Sequence, residues 1–197
     1  MKEIKIKNVH LLNDTYSKIF LNENNLEIDF KYDVTFIGSY EKKRFKSILY
    51  LARNGITVNV FGNGWNKMIN LHQNLIIHNR PLLGEDYIKG IKSSKINLGF
   101  LRKLNRDTIT SRSIEIPAFG GFFLGERTKD HISIYKEGFE AEFFSNDEEL
   151  KEKIDYYLKN NSKRIAICQK GNKKSTESKF SMDFILKKII KQTMINE

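Results

Sequence analysis

Asp33-Val34-Thr35-Phe36-Ile37-Gly38-Ser39 is a short run rich in β-branched and aromatic residues that ends in a Gly-Ser turn, the pattern of a buried strand. Behind it, residues 41–54 place Phe45, Ile48, Leu49, Leu51 and Ala52 on one helical face, and Gly55 stops the helix. The alternation repeats outward from there. Residues 56–62 form a second strand, 74–78 a third, 85–94 a helix and 96–100 a fourth strand. Residues 110–119 are mostly helical, 121–124 a fifth strand and 140–144 a sixth. Asp147 then caps an amphipathic helix over 148–160. Strands alternating with helices imply βαβ units with right-handed crossovers. The expected fold is therefore α/β: a Rossmann-like parallel sheet with helices on both faces.

The 197 residues, 40% of them hydrophobic, suit one domain with a real core. Residues 33–197 are assigned to it. Residues 1–32, with room for a strand over 4–9, read as a linker or extension. Cys168 is the sole cysteine, so no disulfide closes within the chain. The charged start, Met1-Lys2-Glu3-Ile4-Lys5, is no secretory signal, and no apolar run is long enough for a membrane span. Together these point to the cytoplasm.

The net charge of +10 suits nucleic acid, anionic lipid or phosphorylated small molecules. Between Arg80 and Arg112, Arg80, Lys89, Lys92, Lys95, Arg102, Lys103, Arg106 and Arg112 face only Glu85, Asp86 and Asp107. In the basic tail, Phe180 and Phe184 fit a helical apolar face with Ile185 and Ile189 better than a base-stacking platform. Nucleic acid is thus the weakest of these partners.

In parallel α/β sheets, ligands sit beyond the carboxyl ends of the strands. The residues expected there are Gly38-Ser39, Gly62-Asn63-Gly64-Trp65, His78-Asn79-Arg80 and residues 102–112. Gly38-Ser39 serves equally as a loop that lets the backbone approach a phosphate or as a routine turn. Arg44 could neutralise phosphate, although a solvated helix face explains it better. Trp65 reads as core. The strongest constellation is Arg106-Asp107-Thr108-Ile109-Thr110-Ser111-Arg112-Ser113-Ile114-Glu115. A helix starting near Thr108 or Thr110 offers free N–H groups to an anion. The hydroxyls of Thr108, Thr110 and Ser111 add donors, and Arg112 can fork onto phosphate oxygens. At spacing i, i+4 and i+7, Thr108, Arg112 and Glu115 would share a face and put a carboxylate one turn beyond the phosphate, within reach of a ribose. A capped helix with a surface Arg–Glu pair has the same sequence. His72 and His131 have no metal-ligand partners at useful spacing, and no Asp-x-Asp ends a strand, so no metal is expected.

Residues 112–128, Arg-Ser-Ile-Glu-Ile-Pro-Ala-Phe-Gly-Gly-Phe-Phe-Leu-Gly-Glu-Arg-Thr, resemble the hallmark of bacterial group 1 glycosyltransferases of the spore-maturation (CgeB-like) type. Asp33–Ser39, Val60–Trp65, Gly138-Phe-Glu140, Glu148-Glu-Leu150 and Tyr156–Asn160 match further family features in order. The resemblance implies the C-terminal, donor-binding half of a GT-B fold. It implies that Glu115 binds the donor ribose, that Arg112 and residues 108–111 hold the pyrophosphate, and that residues near His78-Asn79-Arg80 meet the base. Two features depart from the pattern. Thr108 stands where the wider group often has a second glutamate. Ser175-Thr176-Glu177 and Phe180-Ser181 replace a His-Thr-Tyr-like signature.

The expected function is transfer of a sugar from a nucleoside-diphosphate sugar, the donor substrate, with no cofactor. The expected donor-binding residues are Gly38, Ser39, Arg80, Thr108, Thr110, Ser111, Arg112 and Glu115. An N-terminal Rossmann-like acceptor domain is expected from a partner chain or a second copy. The alternatives are a non-catalytic nucleotide-binding or regulatory module and, less well supported, a basic nucleic-acid-binding domain.

Overall fold

The computed structural model describes residues 15–17, 30–102, 105–177 and 180–194. Its centre is a six-stranded, all-parallel sheet in the order β3-β2-β1-β4-β5-β6. The strands are β1 (Tyr32–Ile37), β2 (Val58–Phe61), β3 (Leu75–Ile77), β4 (Ser94–Gly99), β5 (Phe123–Glu126) and β6 (Glu142–Phe144). The helices are α1 (Lys42–Arg53), α2 (Gly84–Lys92), α3 (Ser111–Ala118), α4 (Lys129–Ile134), α5 (Asp147–Lys159), α6 (Asn161–Glu177) and α7 (Met182–Met194). This is the doubly wound Rossmann-like arrangement read from the sequence. Its order reverses between β1 and β4, so a crevice opens at their carboxyl ends.

Side chains alternate across the strands and divide the interior into two cores. Val34, Phe36, Val58, Val60, Leu98 and Leu124 pack with Ile48 and Leu51 of α1 and Ile154 of α5. Phe123 and Phe143, one residue out of phase, pack with Ile88 and Ile91 of α2 and Ile114 of α3. Trp65 is wholly buried, as expected, and donates Nε1–H to the Gly38 carbonyl at 2.9 Å.

Several boundaries differ from the sequence reading. β5 begins at Phe123 rather than residue 121, because Gly120 takes φ +82° and the Gly120-Gly121 turn precedes the strand. Asn146, not Asp147, caps α5: its side chain accepts the Glu149 N–H. The sequence reading passed over α4, and it expected C-terminal helices without giving bounds for α6. Tyr16, from the stretch read as linker, is buried against Phe119 and bridges in parallel to Ser181. The strand allowed at residues 4–9 lies outside the described residues. Helix α7 forms, but Phe184, Leu186 and Ile190 on it are exposed. Among the described residues, no helix is long and apolar enough to cross a membrane.

Candidate functional site

A cavity of about 580 Å³ lies over the reversal point of the sheet. Its floor is made by Ile37-Gly38-Ser39 after β1 and Phe61-Gly62-Asn63 after β2. These two ends touch closely. Gly38 N–H donates to the Phe61 carbonyl at 2.8 Å, and Gly62, at φ +147°, leaves no room for a Cβ, which would lie 2.1 Å from the Gly38 oxygen. Any side chain at Gly62 would push the turns apart. Residues 81–84 and Tyr87 of α2 form one wall. The opposite wall comes from Arg102, Asn105, Asp107 and Ile109 of the loop after β4, and from Thr110, Ser111, Arg112 and Glu115 at the start of α3.

Gly38, Ser39, Thr110, Ser111, Arg112 and Glu115 therefore meet in one cavity. Thr110 is the N-cap of α3, in a capping box with Ser113, and Thr110, Ser111 and Arg112 at the helix start line this wall. Arg112 and Glu115 sit on the first turns of the helix. The Arg112 Nε is buried without a hydrogen-bond partner.

Thr108 and Arg80 are placed differently. Thr108 lies three residues before α3 and shares no helical face with Arg112 and Glu115. It points to α4 instead: its hydroxyl donates to Asp130, and its carbonyl accepts from Thr128 Oγ1 at 2.8 Å. It ties the loop down and is not among the cavity-lining residues. Arg80 follows the third strand as expected, but its guanidinium lies 5.9 Å over the Phe61 ring, also outside the lining. His78 likewise turns inward. It stacks on Phe61 at 4.0 Å, and its Nε2 lies 3.0 Å from Asn59 Oδ1.

Arg44 corrects the reading of a solvated helix face. It is 3% exposed and lines the cavity from α1. Nη1 donates to the Ser39 carbonyl at 3.2 Å, whereas Nε has no hydrogen-bond partner, its nearest carboxylate oxygen, Glu41 Oε2, being 3.7 Å away. Burial, then the charges of Arg112 and Arg102, push its affinity for its proton down. A guanidinium stays charged even so, and three arginines around one cavity make a site that favours a polyanion.

Tyr87 is a cavity residue the sequence reading did not single out. Its hydroxyl donates to Glu115 Oε2 at 2.9 Å, and burial, followed by the Glu115 charge, pushes its pKa well up. The phenol stays a donor and the carboxylate is held facing the cavity. The signal was weak, because the partners lie 28 residues apart on different helices. No group of three or more His, Cys, Asp or Glu residues that could hold a metal occurs among the described residues.

No curated protein sequence is similar enough to match. Solved structures share the fold at low identity. The C-terminal domain of a glycosyl transferase group 1 family protein, LpcC, from Francisella tularensis superimposes with TM-score 0.57 at 14% identity, covering 79% of this chain and 89% of that one. Anabaena HepE in complex with UDP-glucose gives 0.64 at 13% identity, covering 83% of this chain and 48% of HepE. A variant of S. aureus TarM, bound to fondaparinux, alpha-GlcNAc-glycerol and UDP, gives 0.69 at 14%, covering 95% and 40%. The chain thus spans less than half the length of the last two. The family model described as "Glycosyl transferase-like" matches residues 43–191, most of the chain, which includes α3 and the cavity residues from Arg44 onward. The chain belongs to this glycosyl transferase-like family.

Proposed function

We propose that the cavity holds a nucleoside-diphosphate sugar and that the chain is the donor-binding domain of a glycosyltransferase, of the spore-maturation type, moving a hexose or related sugar. The observation that carries this reading is Arg44. Its guanidinium is buried beside Arg102 and Arg112, and its Nε, 3.7 Å from Glu41 Oε2, makes no hydrogen bond, an arrangement that favours an anion of more than one charge. A diphosphate meets all three arginines and the first N–H groups of α3. Glu115, steadied by Tyr87, then reads the ribose hydroxyls. Gly38 and Ser39 bring backbone close to the phosphates. In transfer, the bond from the anomeric carbon to the β-phosphate oxygen breaks, the acceptor hydroxyl oxygen bonds to that carbon and gives its proton to the departing diphosphate, and the arginines take up the remaining charge on that leaving group. Binding needs no divalent metal, because guanidinium groups supply the countercharge. The acceptor is presented by a facing Rossmann-like domain. HepE and TarM, bound to UDP-glucose and to UDP respectively, share this fold.

Thermal shift against a panel of nucleosides, monophosphates and diphosphates, with and without chelator, tests the reading. A diphosphate at 100 times its dissociation constant adds about 2.7 kcal/mol of stability. The expected result is a shift that grows from nucleoside to diphosphate and survives chelation. Equal shifts for nucleoside and diphosphate, or a shift abolished by chelator, would count against it.

A further inference from the structure

His131 is wholly buried in α4. Its ring stacks parallel to Phe143 at 5.4 Å and meets the edge of Phe123. Nδ1 lies 2.6 Å from the Glu126 backbone carbonyl, which can only accept, so Nδ1 carries the proton. Nε2 of the neutral ring is then an acceptor, 2.7 Å from Ser113 Oγ, and the serine donates to it. Ser113 Oγ in turn accepts the Thr110 N–H at 3.3 Å and closes the capping box of α3. A capping box usually uses a longer Glu or Gln at this position. Here the short serine hydroxyl is aimed by a histidine from the neighbouring helix. The box opens the same helix turn that lines the cavity with Arg44, the buried cation whose Nε makes no hydrogen bond.

We propose that His131 is a positioning residue for the anion site: through Ser113 it sets the first turn of α3, and so the N–H groups and Arg112, in the geometry that receives phosphate. This rests on the donor-pocket reading above. The chain of contacts runs from the Glu126 carbonyl through His131 and Ser113 to the Thr110 amide. Each link has one donor direction, and neither His131 nor Ser113 lines the cavity. Removing the link leaves the helix in place and loosens its entry turn. Small misplacements of a binding group lose much of its effect.

The probe is inorganic pyrophosphate, which requires no knowledge of the base or sugar. Its affinity is measured by calorimetry, below each melting transition, for the wild type, Ser113→Ala, His131→Phe, their double variant and Arg44→Ala. His131→Phe keeps an aromatic ring against Phe143 and removes both nitrogens. Each single variant should weaken binding about tenfold, and the double variant should be no weaker than either single, because both cut one chain. Ser113→Thr, which keeps the hydroxyl, should restore affinity in the folded protein. Wild-type affinity in Ser113→Ala and His131→Phe, with binding lost in Arg44→Ala, would overturn the relay and leave the donor site standing. Fully additive losses in the double variant would also overturn it. Wild-type affinity in Arg44→Ala would displace the anion site, and both readings would fall.

Discussion

At the scale of single residues, the site is organised by what Arg44 and Glu115 face. Arg44 sits among Lys42, Lys43 and Lys46, so its sequence context reads as a solvated basic surface. Only packing reveals that α1 turns this one cation under the β1 loop while Lys42, Lys43 and Lys46 stay exposed. Arg112 and Glu115 were legible because both lie on one short helix, where spacing alone decides that they neighbour each other. Thr108 was misplaced for the converse reason. Of the two starts the sequence offered, near Thr108 or Thr110, the later one forms, with Thr110 as the cap, and this leaves Thr108 outside the helix. Tyr87 was invisible, since a contact between helices has no signature within either one. The Tyr87 phenol donates to Glu115 Oε2, and on the proposed reading the carboxylate is a recognition group rather than a base. Glu115→Ala should bind ribo- and 2′-deoxyribonucleoside diphosphates with similar affinity, whereas the wild type prefers the ribo form. A preference unchanged in competition titrations would remove the ribose role.

At the scale of elements, legibility followed the apolar pattern. β1, β2, β4 and α1 carry strong hydrophobic periodicity and fell within two residues of their observed bounds. Helix α6 does not. Its buried face includes Arg164, Gly171 and Ser175 as well as Ile167, and Gly171 lets the helix approach the Glu140 carbonyl, where a Cβ would lie 2.3 Å away. A face of small and polar residues leaves no stripe to read. Helix α4 is six residues long, too short for periodicity, yet it brings His131 to α3. That link makes stability depend on pH. Burial holds the His131 pKa below its ordinary value, against the raising effects of the Glu126 carbonyl bond and the Asp130 and Glu126 charges. The unfolded chain therefore takes up the proton first. The contribution is complete above the ordinary histidine pKa of about 6.5 and is lost as pH falls through it toward the lower folded value. His78 shifts the same way, through burial and Arg80. Glu149, held at about 2 by Arg127, titrates well below this window. The urea midpoint should fall between pH 7.5 and 5.5, and His131→Phe should fall less. An equal fall in both would show that His131 is not the titrating group.

At the scale of the whole molecule, the reversal of strand order between β1 and β4 puts four separate segments around one cavity. The sequence showed that these segments end strands. It could not show that the loop after β3 turns Arg80 onto Phe61 while residues 81–84 swing into the wall. The sheet supplies a rigid floor, α1 and α3 supply cations and helix N–H groups, and α2 supplies the tyrosine that steadies Glu115. On the proposed reading such a division separates phosphate recognition from nucleoside recognition, and the two should be removable independently. The most direct test is a calorimetric titration of a nucleoside diphosphate and of its parent nucleoside into the wild type and Arg112→Ala. Loss of a charge-assisted contact is worth about 1.5–3 kcal/mol, roughly 10- to 150-fold in affinity. Diphosphate binding should fall by that factor while nucleoside binding stays as in the wild type. An equal fall for both ligands would contradict a phosphate site at the start of α3.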